Sequence, residues 1–520
     1  MSENSPKNMD EAVKLIEKLQ AEIAQLHKEN NNLREMLIKS RKMMFGKSSE
    51  QIKNMHGYEQ LSFFNEAEQE YNSGAPEPKE DTVVKSYKRK PKRTKAEITE
   101  NLEHKEEIID LPEDEKICNI CGTELVCIGK EKLRSELNIV PAQVFVIDYY
   151  RYVYKCLECE SQTDEANIVK PEAPVPVIKK SMASPATVAY TIQEKYQNGV
   201  TLFRQEQYWK SNGVELNRNT LANWIIRSSL WLKPLWELMK DELFKEGIVH
   251  ADESELRVLK RDGKPTNSVS RMWVFCSGAY SQKQMALYKY HPTRSSAVVR
   301  EVIGEYSGYL QTDGYSAYNA AERATHIGCW AHARRKFVDC LPKGIDDKNS
   351  KAAVALDIIE RLFSIEQGLK GMPEEKIKEA RIEKSVPLLN KYRELLQTIS
   401  APGGSKLYQA VNYSLNHKTE LEGYLADGRI EMTNNRAERA VKPFVIARKN
   451  FLFSDTARGA ESSALCFSMI ESAKLNNLNV YGYLIYLFSE LPKLGENPPE
   501  EKLTGFLPWS RELPSYCKKV

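Results

Sequence analysis

The sequence predicts a multidomain α/β protein: a coiled coil, a zinc ribbon, a helix-turn-helix, and a mixed-sheet core interrupted by helices. Three observations predict it. Residues 9–37 carry a heptad of apolar positions, four cysteines fall in two C-x2-C pairs, and three strand-like runs after residue 247 precede an alternation of helix and strand. At 520 residues the chain is too long for one ordinary hydrophobic core.

In the first element, 1–45, Ile16, Leu19, Ile23, Leu26, Leu33 and Leu37 take a and d places, with Asn30 at one a place. β-Branched residues at a with leucine at d favour two parallel strands, and one buried asparagine fixes register, so self-association as a homodimer or larger is expected. Residues 46–96 read as linker, with "NSGAPEPKED" lacking apolar content and "KSYKRKPKRTK" (85–95) holding seven basic residues and no acid. A strongly acidic stretch follows, so the pair reads as a solvated tether or as a segment that touches DNA phosphates.

The next element, 97–170, contains Cys118, Cys121, Cys156 and Cys159, with 34 residues between the pairs. Thiolates at this spacing suit a tetrahedral structural Zn²⁺ better than disulfides in a reducing compartment. The polar N-terminus "MSENSPKNMDEAVKL" carries no secretory pattern, and no apolar run approaches the roughly 20 residues that span a bilayer. A cytoplasmic protein with no membrane partner is expected. Lysine plus arginine (75) nearly balance aspartate plus glutamate (72), so net charge selects no class of partner.

Residues 180–235 read as helical. Ser184 before Pro185 has the form of a helix start, and two short amphipathic helices meet at Gly213. The second begins "LNRNTLANW", and in a helix-turn-helix its first residues face base edges. Asn217, Arg218, Asn219 and Asn223 have the chemistry for that contact.

The core is expected in two parts, 245–340 and 429–475, around a helical insertion at 341–428 and before a helical tail at 476–520. "GIVHADESELRVL", "RMWVFCSGAY" and "QMALYKYH" read as antiparallel strands. Helix "SSAVVREVIGEY", strand "YLQTD", a helix around "GYSAYNAAER" and strand "ATHIGCW" follow as crossovers that add parallel strands. Asp252 then closes the first strand and Asp313 follows the fourth. With those strands adjacent, both carboxylates project at one edge and repel unless a divalent cation lies between them.

A third acid completes a two-metal site for Mg²⁺ or Mn²⁺, able to activate a water or 3′-hydroxyl and to stabilise the leaving oxygen. Glu438 in "TNNRAERAVKP" is the candidate, on a helix that Thr433 or Asn434 can cap, and Glu431 is its rival. Arg436, Arg439, Lys442, Arg448 and Lys449 are placed to meet phosphates. Glu253 and Glu255 read as solvated or supporting.

"HADES", "QTDGYSAYN", "CWAHARRKF" and "NNRAERAVKPFVIARKNFLFSDTARGAESSA" resemble the signature blocks of the insertion-sequence-66 (IS-66) family of DDE transposases. The resemblance spans almost the whole chain. It implies an RNase H-like catalytic core with a helical insertion, and a catalytic triad of Asp252, Asp313 and Glu438. It further implies a supporting C-x2-H pair, Cys329 and His332. Its partners would be double-stranded DNA, both element ends and target, with companion proteins of the element left open. Alternatives from other classes are a DNA-binding regulator with a decayed core and a structure-selective nuclease. The tether at 85–95 departs from what the family requires.

Overall fold

The computed structural model describes residues 144–152, 154–156, 167–169, 171–260, 269–341 and 350–519, with isolated positions 20, 22 and 25. The heptad positions, the basic run 85–95, and Cys118, Cys121 and Cys159 lie outside the described residues. Two compact units divide near residue 173. In the smaller, β1 (Tyr154–Cys156) pairs antiparallel with β2 (Asn167–Val169), so that Cys156 ends a strand.

The larger unit begins with three helices: α1 (Pro185–Tyr196), α2 (Leu202–Ser211) and α3 (Arg218–Ser228). Ser184 caps α1, its Oγ accepting from Thr187 N at 3.1 Å, with Pro185 at the first helical position. Gly213 turns the chain between α2 and α3 at φ +79°, a conformation that costs glycine little. Val188, Ile192, Trp209, Leu221, Trp224 and Ile225 bury the inner faces of all three. After α4 (Lys233–Leu243) the chain enters a mixed sheet.

The sheet is built from β3 (Ile248–Lys260), β4 (Val269–Ser277), β5 (Ala286–His291), β6 (Tyr309–Gln311), β7 (Thr325–Ile327) and β8 (Ser454–Thr456). The order is β5-β4-β3-β6-β7, with β8 paired to the far end of β3. β3, β4 and β5 are antiparallel, whereas β6 and β7 run parallel to β3 after the crossover helix α5 (Ser296–Ile303). Strands one and four are therefore neighbours, as the sequence reading required. The helix expected around "GYSAYNAAER" is instead a 3₁₀ helix over Ser316–Ala320. Ala317 and Tyr318 are its buried side chains, too short an apolar pattern to carry several α-turns.

Helix α6 (Trp330–Val338) leads into five helices: α7 (Lys351–Gly368), α8 (Glu374–Ala380), α9 (Val386–Gln397), α10 (Lys406–Asn416) and α11 (Lys418–Glu422). They form a second core around Trp330, Phe337, Ile359, Leu389 and Tyr392, into which Ile430 and Met432 also fit. Arg381 anchors the exit from these helices. Its guanidinium pairs with Glu366 at 2.7 Å and donates to the carbonyls of Tyr424, Asp427 and Ile430. A buried arginine with every donor directed like this fixes where the following segment returns to the sheet.

That return brings α12 (Asn435–Phe451) across β3 and β4, burying Ala437, Val441 and Phe444. Helices α13 (Ala457–Leu475) and α14 (Val480–Leu494) close the unit against β5 and α1. Ser468, Ser472 and Asn476, spaced by four along α13, bond the outer edge of β5 at Tyr288 N, Ala286 N and Gln284 O. A sheet edge that would otherwise template pairing with another chain is thereby covered.

Candidate active site

β3 and β6 pair in parallel with His250 opposite Gln311. Two residues further, Asp313 has passed the end of β6. Asp252, expected to close the first strand, lies inside β3, which runs on to Lys260 beyond the end of β6. The two carboxyls are near enough for Asp313 to raise Asp252. Asp313 sits in a tight turn, its Oδ1 accepting from Tyr315 N at 2.9 Å. It is thus a turn-former through one oxygen. Gly314 takes φ +86°, a conformation that strains other residues, and an added Cβ there would press on the His417 ring at 3.1 Å. Tyr413 donates to the Asp313 carbonyl at 3.0 Å, and its ring packs on His417 at 4.8 Å between centroids. Helix α10 of the insertion therefore holds the Asp313 turn from above.

Asp252 shows the electrostatic character of the edge. Burial, with Glu253, Asp313 and Glu438 nearby, pushes its carboxyl up to about 8. Like charges at this range are relieved by protonation or by a cation. Of the two readings given for Glu253, solvated or supporting, its contacts favour the second. Its side chain is 3% exposed, bound by Arg294 and by Tyr318 Oη at 2.7 Å. The Arg294 guanidinium also lies 3.5 Å over the Tyr315 ring, which ties the Asp252 strand to the Asp313 turn. Glu255 is exposed and pairs with Arg271 at 3.3 Å.

Glu438 occupies the first turn of α12. Its Oε1 is buried and makes no hydrogen bond, and neither does His332 Nδ1, 3.8 Å away. Cys329, His332 and Glu438 offer donor atoms that all lie within 4.8 Å of one another. Burial lowers the His332 pKa and raises the Cys329 thiol to about 11, where it accepts from Asn434 N at 3.1 Å. The rival Glu431 is engaged elsewhere, with Arg436 Nε at 3.4 Å and His250 Nε2 at 3.5 Å.

Asn434 is at the N-cap position, yet its side chain makes no cap. It donates from Nδ2 to the Ala251 carbonyl at 2.8 Å and faces His250 Nδ1 through Oδ1 at 3.1 Å, which clamps α12 to β3. Burial holds the His250 imidazole down to about 4, so it remains neutral in this clamp. The sequence reading missed His250, Tyr413, His417 and this use of Asn434.

Glu438 keeps one buried oxygen without a hydrogen bond, and Asp313 and Glu438 lie close enough to Asp252 to raise it, oxygen donors whose chemistry suits a hard divalent cation. Among the described residues the donor atoms near enough to share one ion are those of Cys329, His332 and Glu438.

The nucleic-acid candidates divide by exposure. Arg218, Asn219 and Asn223 line the exposed start of α3, whereas Asn217 is used as its cap, accepting from Thr220 N at 2.9 Å. Along α12, Arg439, Lys442 and Lys449 are exposed. Arg436 is half-buried on Glu431 and Gln284, and half-buried Arg448 donates to the Glu255 carbonyl.

The chain matches the Transposase IS66 family over residues 180–462 and the IS66 C-terminal element over 468–509. Residues 115–160 match the zinc-finger binding domain of transposase IS66, a span that holds all four paired cysteines. Residues 32–106 match a family described as Transposase C of IS166 homeodomain, and this includes the basic run. Two similar proteins of Sinorhizobium fredii are uncharacterized. One, y4qI, is 28% identical over 92% of this chain and 88% of its own length. The other, y4jD, is 30% identical over 78% of this chain and 80% of its own. Among the described residues no helix is long and apolar enough to cross a membrane.

Proposed function

Because this chain belongs to the IS66 transposase family, we propose that it recognises the ends of its own element and cuts and joins DNA there through Asp252, Asp313 and Glu438. The observation that carries the proposal is the β3–β6 register, with Asp313 and Glu438 among the charges that raise Asp252. The strand order β5-β4-β3-β6-β7, three antiparallel and two added in parallel, supports an RNase H-like core.

The three carboxylates would hold two Mg²⁺ or Mn²⁺ ions, which when bound activate the attacking oxygen and stabilise the leaving one. The protein's own part is positioning. Tyr315 and Tyr413 fix the Asp313 turn, Asn434 clamps the helix that carries Glu438, and His332 lies beside the Glu438 carboxylate. Arg439 and Lys442 meet phosphates beside the scissile bond, and α3 reads base edges with Arg218, Asn219 and Asn223. Zn²⁺ on Cys118, Cys121, Cys156 and Cys159 would order the smaller unit. Hydrolysis at an element end frees a 3′-hydroxyl, which attacks a target phosphodiester directly, so no covalent protein–DNA intermediate forms.

The test uses purified full-length protein, Mg²⁺ and a labelled duplex carrying the sequences that flank the gene. Defined new 3′ ends and joined products, absent with Asp313→Ala, are expected. Specific binding without cleavage in any divalent metal would favour a DNA-binding regulator. Cleavage that follows DNA structure and never yields joined products would favour a nuclease.

A further inference from the structure

At the end of α12 the run "NFLFS" turns one aromatic inward and two apolar side chains outward. Phe451 faces Tyr196 at 6.3 Å between centroids, with Lys195 Nζ 3.7 Å from the centre of its ring. Leu452 and Phe453 are 67% and 45% exposed. They sit on a γ-turn: Leu452 takes φ 65° and ψ −42°, and Phe453 N donates to the Phe451 carbonyl at 2.8 Å. This turn is rare and strained for a residue with a side chain, and it points adjacent apolar groups into solvent.

The surroundings select the occupant. Asp455, the acid nearest in sequence, is neutralised by Lys260 at 2.8 Å. Arg448 is bonded to the Glu255 carbonyl and the Ser254 hydroxyl, neither of which compensates its charge, and Arg458 is exposed. The tip is thus apolar, its nearest acid in sequence is ion-paired and Arg448 in the helix turn before it meets neutral acceptors, an environment that suits a polyanion with stacked apolar bases. Its position agrees: Asn450 donates to the Gly199 carbonyl in the turn between α1 and α2, so the tip stands where the helix-turn-helix meets the catalytic helix. On the proposed function, a duplex engaged by both would run beside it.

We propose that Leu452 and Phe453 form a wedge that enters one base step of the bound element-end duplex and unstacks it. The proposal rests on the transposase reading above. From Glu438 to Leu452 the helix rises ~21 Å, so with a duplex running along α12 the unstacked step would lie about six base pairs from the scissile phosphate.

The experiment moves a single 2-aminopurine along the flanking-sequence duplex and records its emission with the full-length protein in Ca²⁺. Cleavage in Mg²⁺ is measured on the same duplexes. The wild-type protein is expected to brighten one or two adjacent positions about six base pairs from the cut. Leu452→Gly with Phe453→Ala returns them to the level of the free duplex, and Phe453→Trp keeps them bright. Both changed side chains are exposed and glycine relaxes the turn, so the double variant folds, which its melting curve checks. A wild-type protein that cleaves without brightening any position overturns the wedge and leaves the transposase reading intact. So does a double variant that loses self-association in light scattering while the duplex stays bright, which would make the tip a contact between copies. A wild-type protein that neither binds nor cleaves removes both.

Discussion

The two borders of the sheet treat buried polar groups in opposite ways. At the β5 border the described groups that face α13 are answered, although Trp273 Nε1 on the neighbouring strand is not. Ser468 Oγ meets Tyr288 N at 2.8 Å, Ser472 Oγ meets Ala286 N at 3.1 Å, and Trp236 Nε1 reaches both Ser468 and the Tyr288 carbonyl. At the β3–β6 edge, Glu438 Oε1, His332 Nδ1 and His250 Nε2 are buried without a hydrogen bond, and Asp252 crowds against other carboxylates. An unanswered buried polar atom costs about 1–3 kcal/mol, so a fold keeps several together only where something else completes them. The first border is structure. The second gathers unpaired buried polar atoms beside a carboxyl that its neighbours raise.

The largest effects should come from the unanswered edge. Glu438→Ala is expected to lower Mg²⁺-dependent cleavage by more than about a thousandfold with unchanged melting, whereas Glu431→Ala keeps most of it. Equal losses in the two variants would return Glu431 to contention as the third acid. The satisfied border should respond in the reverse sense. Ser468→Ala leaves the Tyr288 N–H without its partner, so a stability loss of about 1–3 kcal/mol is expected in denaturant melts, with cleavage per folded molecule unchanged. A large loss of cleavage in this variant at low temperature would show the two borders to be coupled.

Tyr413→Phe tests the boundary between these behaviours, because its hydroxyl answers a backbone carbonyl that belongs to the site. Cleavage about tenfold slower is expected, with a raised Mg²⁺ requirement. A slower reaction at an unchanged Mg²⁺ midpoint would place the hydroxyl outside the positioning of Asp313.

The contrast also accounts for what could be read beforehand. The strands that carry Asp252 and lead to Asp313 were legible because each holds a local apolar run, and the pairing of strands one and four then joins them. Only the length of the first was missed, since its polar second half gives no continuous apolar run. The helix place of Glu438 was legible because that helix is basic and has a clear start. Tyr413 was not: it contacts Asp313 across 100 residues and on its own helix looks like one more half-buried aromatic. Asn434 misled for a related reason. Asparagine before a helix is a good cap, and local pattern carries no sign that Ala251 and His250 compete for the same side chain. The acid after Asp252 was left between solvated and supporting because Arg294 and Tyr318, which bury it, lie 41 and 65 residues away.

The last test asks most directly how the Asp252 charge acts on the fold. In metal-free protein the folded-state pKa of Asp252 stands at about 8, well above that of an unfolded aspartate. Between those values the folded chain holds a proton that the unfolded chain has released, so stability falls as pH rises from 4 through 8. Asparagine has no such proton to lose. In chelator, Asp252→Asn should therefore melt like wild type near pH 4 and roughly 3–6 °C higher near pH 8. Millimolar Mg²⁺ should raise wild type at pH 8 and leave the variant unmoved, because a ligand stabilises only the folded state that binds it. Parallel pH profiles for the two proteins, or equal gains in Mg²⁺, would mean that Asp252 carries no electrostatic strain for a cation to relieve. Separated profiles would make the removal of an acid from this edge a gain in stability and a loss of function together, as expected where a fold tolerates repulsion to keep a site ready.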